Sequence, residues 1–371
     1  MRQAMGCFRL LKLSGYVRIM VMETVYVGMS GGVDSSVSAL LLKEQGYRVV
    51  GIYMKNWSKD LPGMKCPWAE DLADAKRVAV KLGIDFEVWD FEEQYKQKVV
   101  EYMLDEFRKG NTPNPDIMCN QEIKFKLFYE RAMSAGANYI ATGHYARIVD
   151  NRLSRANDEN KDQTYFLYRI SDDALKHTIF PIGRMMKPDV KKLAEEYGLH
   201  NAYKKESMGV CFVGEVGMKD FLKEYIDIEP GEIREVESDR VLGYHEGAVF
   251  YTIGQRHGLY LDGEKGVVND GLPYYVVKKD VDKNIIYVSK NINSDLLWTN
   301  KLTLRDVFLR DKDTQEMPEN VLVRLRHRAP LVSASFDGET LNFEHEIKRP
   351  ASGQSAVLYD DKTCLGGGMI I

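Results

Sequence analysis

Paired cysteines, long apolar runs and an excess of either charge are what this 371-residue sequence lacks. No stretch approaches the roughly 20 apolar residues that cross a bilayer as a helix, so no membrane partner is expected. A formal net charge of −4 gives no global pull toward nucleic acid. A polyanionic partner would have to be met by local basic patches. The five cysteines, Cys7, Cys66, Cys119, Cys211 and Cys364, are far apart and form no CxxC pair. That excludes a disulfide scaffold and argues against a zinc site, so no resident metal centre is expected. A reduced compartment follows, in which a cysteine that matters acts as a nucleophile. Internal repeats and low-complexity tracts are absent as well.

What remains is an ordinary composition, 44% hydrophobic and 29% charged, in a chain long enough for two or three domains. Residues 1–21 carry Arg2, Arg9, Lys12 and Arg18 and no acid. They read as an organellar targeting segment or as an upstream start ahead of Met20 or Met22. The second reading is preferred, because the stretch is serine-poor and a strand begins directly after it.

From Thr24 to about Gly143 strands alternate with helices. Strands are expected at Thr24–Met29, Tyr47–Met54, Phe86–Asp90 and Tyr139–Thr142. Helices are expected at Val37–Glu44, Leu72–Leu82, Glu93–Lys109, Ile123–Ala135 and, further on, Asp189–Tyr197. This pattern is α/β, a doubly wound parallel sheet whose ligands sit beyond the carboxyl ends of its strands. From Glu232 onward short β runs are punctuated by Gly, Asp and Asn: Ala248–Tyr251, Tyr274–Val277, Ile285–Val288, Val321–Leu325, Ser333–Phe336 and Ala356–Leu358. They predict small β-rich central and C-terminal barrel domains. The boundaries drawn are 22–210, 211–295 and 296–371, with 1–21 as an extension.

Gly28-Met29-Ser30-Gly31-Gly32-Val33-Asp34-Ser35-Ser36 joins a strand to a helix. Glycines let backbone amides approach a phosphate closely, and the helix N-terminus adds free N–H groups and a positive field. Ser30, Ser35 and Ser36 offer hydroxyls. Asp34 would repel bare phosphate, so holding magnesium or a backbone amide is its sensible role. The lysine of GxxxxGK[ST] is missing, and GxGxxG does not fit. This string resembles the PP-loop ATP pyrophosphatases, in which ATP adenylates a substrate oxygen, pyrophosphate leaves and a nucleophile then displaces AMP.

Two cysteines bear on that nucleophile. Asn111–Asn120 is a stiff loop entering a helix, with Pro113 and Pro115 fixing two φ angles. Asp116 and Cys119, three apart, can share one site, and a cysteine at a helix start has its thiolate favoured. Cys211 sits in a short apolar stretch between Gly209 and Gly214 and by composition alone reads as a buried strand cysteine.

A wider set of strings settles the branch: GMSGGVDSSV, MKNW, TPNPDIMCN, IKFK, ATGHYAR, KDQTYFL, GVCFVGE, YTIGQRHGL, YYVVKKD, SGQSAVLY and CLGGGMI, in order from residue 28 to 370. Together they resemble the tRNA-specific 2-thiouridylase family. That resemblance implies ATP-dependent 2-thiolation of the wobble uridine of tRNA, with ATP and magnesium required. It implies that Cys211 carries a persulfide received from a cysteine desulfurase or sulfur-relay protein. Cys119 then frees the sulfur and ends in a transient disulfide with Cys211, and Asp116 is the general acid/base. Either the persulfide or released hydrosulfide attacks carbon 2. ATP contacts are implied for Gly28, Met29, Ser30, Gly31, Gly32, Val33, Asp34, Ser35, Met54 and Gly143. Contacts to tRNA, expected to be those for Lys, Glu and Gln, are implied for Asn114, Pro115, Asp116, His144, Lys161, Asp162, Gln163, Arg326, His327 and Gln354. By its own composition 161–163 is an ordinary solvated turn. The run Arg324, Arg326, Arg328, placed on a strand, would make a basic stripe on one face.

Two departures from the family pattern stand out. Glu206–Phe212 differs from the Asp-Ser-Thr-Gly-Ile-Cys-Phe of most bacterial forms and resembles a variant shared with mitochondrial members. Cytoplasmic localisation is expected, with mitochondrial the alternative. Gln121 replaces a lysine common after the first cysteine. Cys66 has no assigned role.

Overall fold

The computed structural model describes residues 8–10, 20–60, 66–205, 217–259, 261, 272–310 and 317–371. Cys211 and its surrounding motif, and Cys7, lie outside the described residues. The described chain divides into two compact units.

The first unit holds residues 1–99, 116–215 and 362–364. Its centre is a five-stranded parallel sheet in the order Asp85–Asp90, Arg48–Lys55, Thr24–Gly28, Tyr139–Thr142, Thr178–Ile179. Thr24–Gly28 pairs on one side with Arg48–Lys55, matching Gly28 to Ile52, and on the other with Tyr139–Thr142, matching Gly28 to Thr142. The strand order reverses at this strand, so the crevice of a doubly wound sheet opens at Gly28. Strand interiors such as Val25, Val27 and Ile52 are fully buried, as a sheet covered on both faces requires.

Helix Val33–Glu44 follows directly and buries residues all around its circumference, Val33, Val37, Leu40 and Leu42 among them. It starts at Val33, as the junction of glycine turn and helix predicts, ahead of the Val37 from which its apolar pattern was read, because the turn itself supplies its N-terminus. Helix Trp68–Leu82 ends on Gly83 in the left-handed conformation, φ 58°. The segment expected as one helix over Glu93–Lys109 winds as α over Glu92–Tyr95, π over Lys96–Val100 and α over Glu101–Arg108. Within 145–205, expected to be of mixed structure, Ala146–Val149 and Arg152–Arg155 form a hairpin. Its turn residues Asp150 and Asn151 both have positive φ, 50° and 62°, the geometry of a type I′ turn.

The second unit comprises residues 100–115, 216–361 and 365–371. A four-stranded sheet runs Val241–His245, Gly231–Glu235, Ile285–Ser289, Tyr275–Asp280. Ala248–Tyr251, expected as a strand, begins with a 3-10 turn at Ala248–Phe250. Ala248 and Tyr251 are both buried, and a spacing of three suits that winding, whereas a strand would send them to opposite faces.

The C-terminal strands run Trp298–Leu309, Thr340–Lys348, Val332–Phe336, Asn320–Arg324, Ser355–Asp360, Thr363–Ile370, and the last pairs back to the first, Leu304 opposite Ile370. That closes a six-stranded barrel around Leu302, Val323, Leu341, Ala356 and Leu358. Among the described residues no helix is long and apolar enough to cross a membrane.

Candidate functional site

The glycine turn at the end of Thr24–Gly28 is braced from several directions. The Met29 amide donates to Ile52 O at 2.8 Å, carrying the sheet ladder one residue further. Ser35 Oγ donates to Gly32 O at 3.0 Å and accepts from the Ser30 amide at 3.2 Å. Ser36 Oγ donates to Gly32 O at 2.9 Å. Gly31 holds φ at +79°, and a Cβ there would lie 2.4 Å from Asp71 O, so only glycine fits. Asn201, 2% exposed, clamps the loop from outside the motif, its Nδ2 donating to Gly31 O at 2.8 Å and Ser36 Oγ at 2.9 Å.

Met54 and Gly143 meet this turn from the flanking strands. A Cβ on Gly28 would meet Met54 Cε at 2.9 Å. One on Gly143 would meet the Ser35 amide nitrogen at 2.6 Å and Asp34 C at 2.7 Å. Close backbone approach at the start of the helix is therefore what Gly143 provides.

Asp34 takes neither a metal ligand set nor a backbone amide as its visible partners. Its carboxylate receives Lys187 Nζ at 2.7 and 2.9 Å and Tyr145 Oη at 3.1 Å. Lys187 is 6% exposed and opens helix Lys187–Glu196. No group of three or more His, Cys, Asp or Glu among the described residues could hold a metal ion.

The second part of the site is the helix that begins at Pro115. Pro115–Met118 is one α turn, Cys119–Leu127 is π-helical, and Phe128–Ser134 returns to α. Helix onset thus precedes the expected Ile123, and Cys119 lies past the first turn, where the field of the helix N-terminus has faded. The helix start therefore does not favour the Cys119 thiolate, and Asp116 takes the first-turn position. Cys119 is buried, at 4% exposure. A π segment is uncommon and marks a winding kept for a local purpose. Burial raises the Asp116 carboxyl above the usual carboxylate range, partly offset by the ammonium of Lys124.

Lys124 also reaches His144 Nε2, at 3.5 Å. An ammonium only donates, so Nε2 accepts and Nδ1–H donates to Thr142 Oγ1 at 2.8 Å. Burial first, and Lys124 second, hold this imidazole far below its ordinary 6.5, so it is neutral. His144 packs between the rings of Phe125 and Phe180. Gln121, the departure noted above, accepts from Arg169 Nε at 2.5 Å, so a cation still stands beside that position.

Lys161-Asp162-Gln163 is no solvated turn. Asp162 is 1% exposed and accepts from the Ala156 amide at 3.1 Å and Thr164 Oγ1 at 2.9 Å. Gln163 Oε1 accepts from the Tyr145 amide at 2.9 Å. Lys161 and Gln163 are half-buried.

In the second unit the expected arginine stripe does not form. The strand ends at Arg324, which is 5% exposed with its guanidinium over the Tyr359 ring, while Arg326–Arg328 fall in the turn beyond. Once the strand ends, alternation no longer governs where side chains point. Arg326 and Arg328 are exposed, His327 is half-buried, and Arg328 has φ 63°. Gln354 Nε2 donates to Thr112 O at 2.7 Å, and the Thr112 amide donates to Ser352 O at 2.7 Å, so barrel residues brace the loop that carries Asn114 and Pro115.

Sequence reasoning passed over Lys187, Asn201 and Lys124. For Lys187 a signal existed: Pro188 marks a helix start, where a lysine has the wrong sign for the dipole. Asn201 carried none, since its role exists only through the fold.

Family models match most of the chain. One described as the tRNA methyl transferase HUP domain covers residues 23–215, one as the tRNA methyl transferase PRC-barrel domain 219–290, and one as the aminomethyltransferase beta-barrel domain 299–370. The tRNA-specific 2-thiouridylase MnmA of Bacillus subtilis is 44% identical over 356 residues, 93% of this chain and 94% of its own. That of Streptococcus agalactiae is 44% identical over 355 residues, with 93% and 94% covered. Among solved structures, a 4-thiouridine synthetase–RNA complex with bound ATP is 17% identical, covering 52% of this chain and 45% of its own at a TM-score of 0.37. So slight a likeness bears on neither fold nor function.

Proposed function

This chain belongs to the tRNA-specific 2-thiouridylase family, and on that premise we propose that it replaces the 2-oxygen of the tRNA wobble uridine with sulfur at the expense of ATP. The observation that carries the reading is the identity of 44% across 93% of the chain, together with a braced glycine turn at the switch point of the sheet. The family models are described by methyl transfer, but a phosphate-binding turn of this kind serves adenylation.

In the first step the uridine O2 attacks the α-phosphorus of ATP, an O–P bond forms, and pyrophosphate leaves with the electron pair of the broken anhydride. Gly28–Ser35, with Met54 and Gly143 beside them, cradle the nucleotide; magnesium enters with its phosphates. Asp116, whose carboxyl burial pushes above the usual carboxylate range, moves a proton at the uridine ring. In the second step the outer sulfur of a Cys211 persulfide reaches carbon 2 and AMP departs. Cys119 thiolate displaces that sulfur from Cys211, directly onto carbon 2 or first as hydrosulfide, and the Cys119–Cys211 disulfide keeps the two electrons in balance. A dithiol reductant restores the enzyme.

The tRNAs for Lys, Glu and Gln are the proposed substrates, and a cysteine desulfurase or sulfur-relay protein the proposed donor. Arg326, His327 and Gln354 supply tRNA contacts in the barrel. Asn114, Pro115, Asp116 and His144 are further proposed tRNA contacts, as are Lys161, Asp162 and Gln163. We assign the modules to 22–210, 211–295 and 296–371, and the compartment to the cytoplasm.

Incubation with unmodified tRNA, ATP, magnesium and a persulfide donor should place one sulfur at the wobble uridine, read by mass spectrometry of the nucleosides. Cys119→Ser and Cys211→Ser should each lower thiolation by at least about a hundredfold while pyrophosphate release continues. Wild type without thiolation would sink the proposal, and activity in Cys211→Ser would remove the persulfide from that residue.

A further inference from the structure

We propose that Glu106 and Arg305 are positioning residues for sulfur transfer, a buried ion pair through which the C-terminal barrel holds the chain entering the helix of Asp116 and Cys119. The inference deepens the proposed function and rests on Asp116 and Cys119 being its reacting groups.

Glu106 stands against the local rules of its helix. It lies in the last turn of Glu101–Arg108, where the dipole disfavours an anion, and it is only 3% exposed. A buried carboxylate is tolerated where donors fill it. Arg305 Nη2 donates to Oε2 at 2.5 Å, Asn111 Nδ2 to the same oxygen at 2.8 Å, and Lys109 Nζ to Oε1 at 3.2 Å. The Asn111 amide also donates to Glu106 O at 2.9 Å. One residue thus fixes both the end of the helix and the first residue of the loop after it.

Arg305 comes from 199 residues away, on barrel strand Trp298–Leu309. It pairs with Met369, and the register then shifts before the next pair, Phe308 with Gly367. Asp306, inside that shift, has φ 51°. A bulge of this kind re-aims the side chains beside it. Together the misplaced acid and the bulge cost stability, and the ion pair between them is what both serve.

Beyond Asn111 the loop stays on the barrel. The Thr112 amide donates to Ser352 O at 2.7 Å, and Thr112 O accepts from Gln354 Nε2 at 2.7 Å. Gly353 has φ 89°, and a Cβ there would lie 2.9 Å from Asn111 Cβ and 3.0 Å from the Thr112 amide nitrogen. Both backbone groups of Thr112 are therefore taken, where a mere connection would leave them to water. Pro113 and Pro115 carry this fixed path stiffly into the helix that Pro115 opens. Sulfur transfer needs the Cys119 thiolate in line with the bond it breaks, and a misplacement near 1 Å costs up to about a hundredfold in rate.

The test measures kcat and KM for tRNA in thiolation, and ATP affinity by calorimetry, on the full-length protein well below its unfolding temperature. Glu106→Gln and Arg305→Met should each lower kcat about tenfold or more, with KM and ATP affinity within about threefold of wild type. The double variant should lose no more than about twofold beyond the worse single, because both remove one contact. Arg305→Lys keeps the charge and should recover most of the loss. The Lys109 side chain is 62% exposed, so Lys109→Met should stay within about twofold of wild type.

Unchanged kcat in Arg305→Met would overturn the proposal, as would single losses that multiply in the double. A joint fall of kcat, tRNA recognition and ATP affinity would mark the pair as merely structural. Lys109→Met as impaired as Arg305→Met would show that Glu106 needs only a neighbouring cation. Should Glu106→Gln fail to fold, Arg305→Met decides, since that side chain is 34% exposed and its truncation leaves the core intact. Wild type that thiolates no tRNA would instead refute the function beneath the proposal, leaving the pair no sulfur transfer to serve.

Discussion

Gly143→Ala separates two reasons for a glycine at the edge of the phosphate turn: contact with the nucleotide, or room for the helix that binds it. Gly143 is not among the residues with positive φ, so alanine brings no backbone strain. The whole effect is the added methyl, whose carbon would lie 2.6 Å from the Ser35 amide nitrogen, 2.7 Å from Asp34 C and 3.0 Å from Ser35 Cα. These are backbone atoms of the first helical turn and cannot rotate away. An ordinary contact needs about 3.4 Å, so the helix start must retreat from the strand by about 0.8 Å. Overpacking of this kind costs about 1–3 kcal/mol of stability. A displacement near 1 Å of a group that positions reactants costs up to about a hundredfold in rate. Urea unfolding followed by circular dichroism gives the first quantity, and tRNA-dependent pyrophosphate release gives the second. The expected result is a loss of 1–3 kcal/mol, about the overpacking range, with pyrophosphate release slowed roughly ten- to a hundredfold. Stability unchanged and release within about twofold of wild type would show that the turn yields freely, and the argument from close packing would fail.

Asn201→Ala should destabilise the protein by about 2–4 kcal/mol, because Gly31 O and Ser36 Oγ lose a buried donor; urea unfolding showing under about 0.5 kcal/mol would contradict the clamp. His144 makes stability depend on pH. The unfolded chain takes up its proton near 6.5 while the buried ring resists, so its contribution is complete above that pH and is lost progressively as pH falls from 6.5 toward the ring's lower folded value. Denaturation midpoints measured from pH 5 to 8 should flatten in His144→Asn, and an unchanged slope would mean the imidazole is charged in the folded protein.

The parts of this protein that could be read along the chain are those whose physics is local. Strand, glycine turn and helix follow one another within Thr24–Glu44, so the phosphate turn needs no distant partner to be recognised. Alternating strands and helices likewise announced the parallel sheet, and the Pro-bounded approach to Asp116 and Cys119 was visible as a stiff entry into a helix. The long strand Trp298–Leu309 and the glycine-bearing strand Thr363–Ile370 were not legible. Gly367 belongs in a strand only because a Cβ there would lie 2.3 Å from Ala356 O, a fact that exists after the barrel closes.

Distance in sequence sets the boundary between the two kinds of knowledge. Met29–Ser36 could be identified as a phosphate turn from its own residues, because short-range sterics and hydrogen bonds shape it. Its charge balance could not: Lys187 and Asn201 reach it only because the sheet and helix Lys187–Glu196 pack them there. The basic stripe expected at Arg324–Arg328 failed for the same reason. Alternation along a strand is local, but where the strand stops, and that Arg324 faces Tyr359, is decided by packing in the barrel. Chain-local chemistry determined what this protein binds with, and tertiary structure decided which charges face it, because burial and pairing are properties of the whole fold.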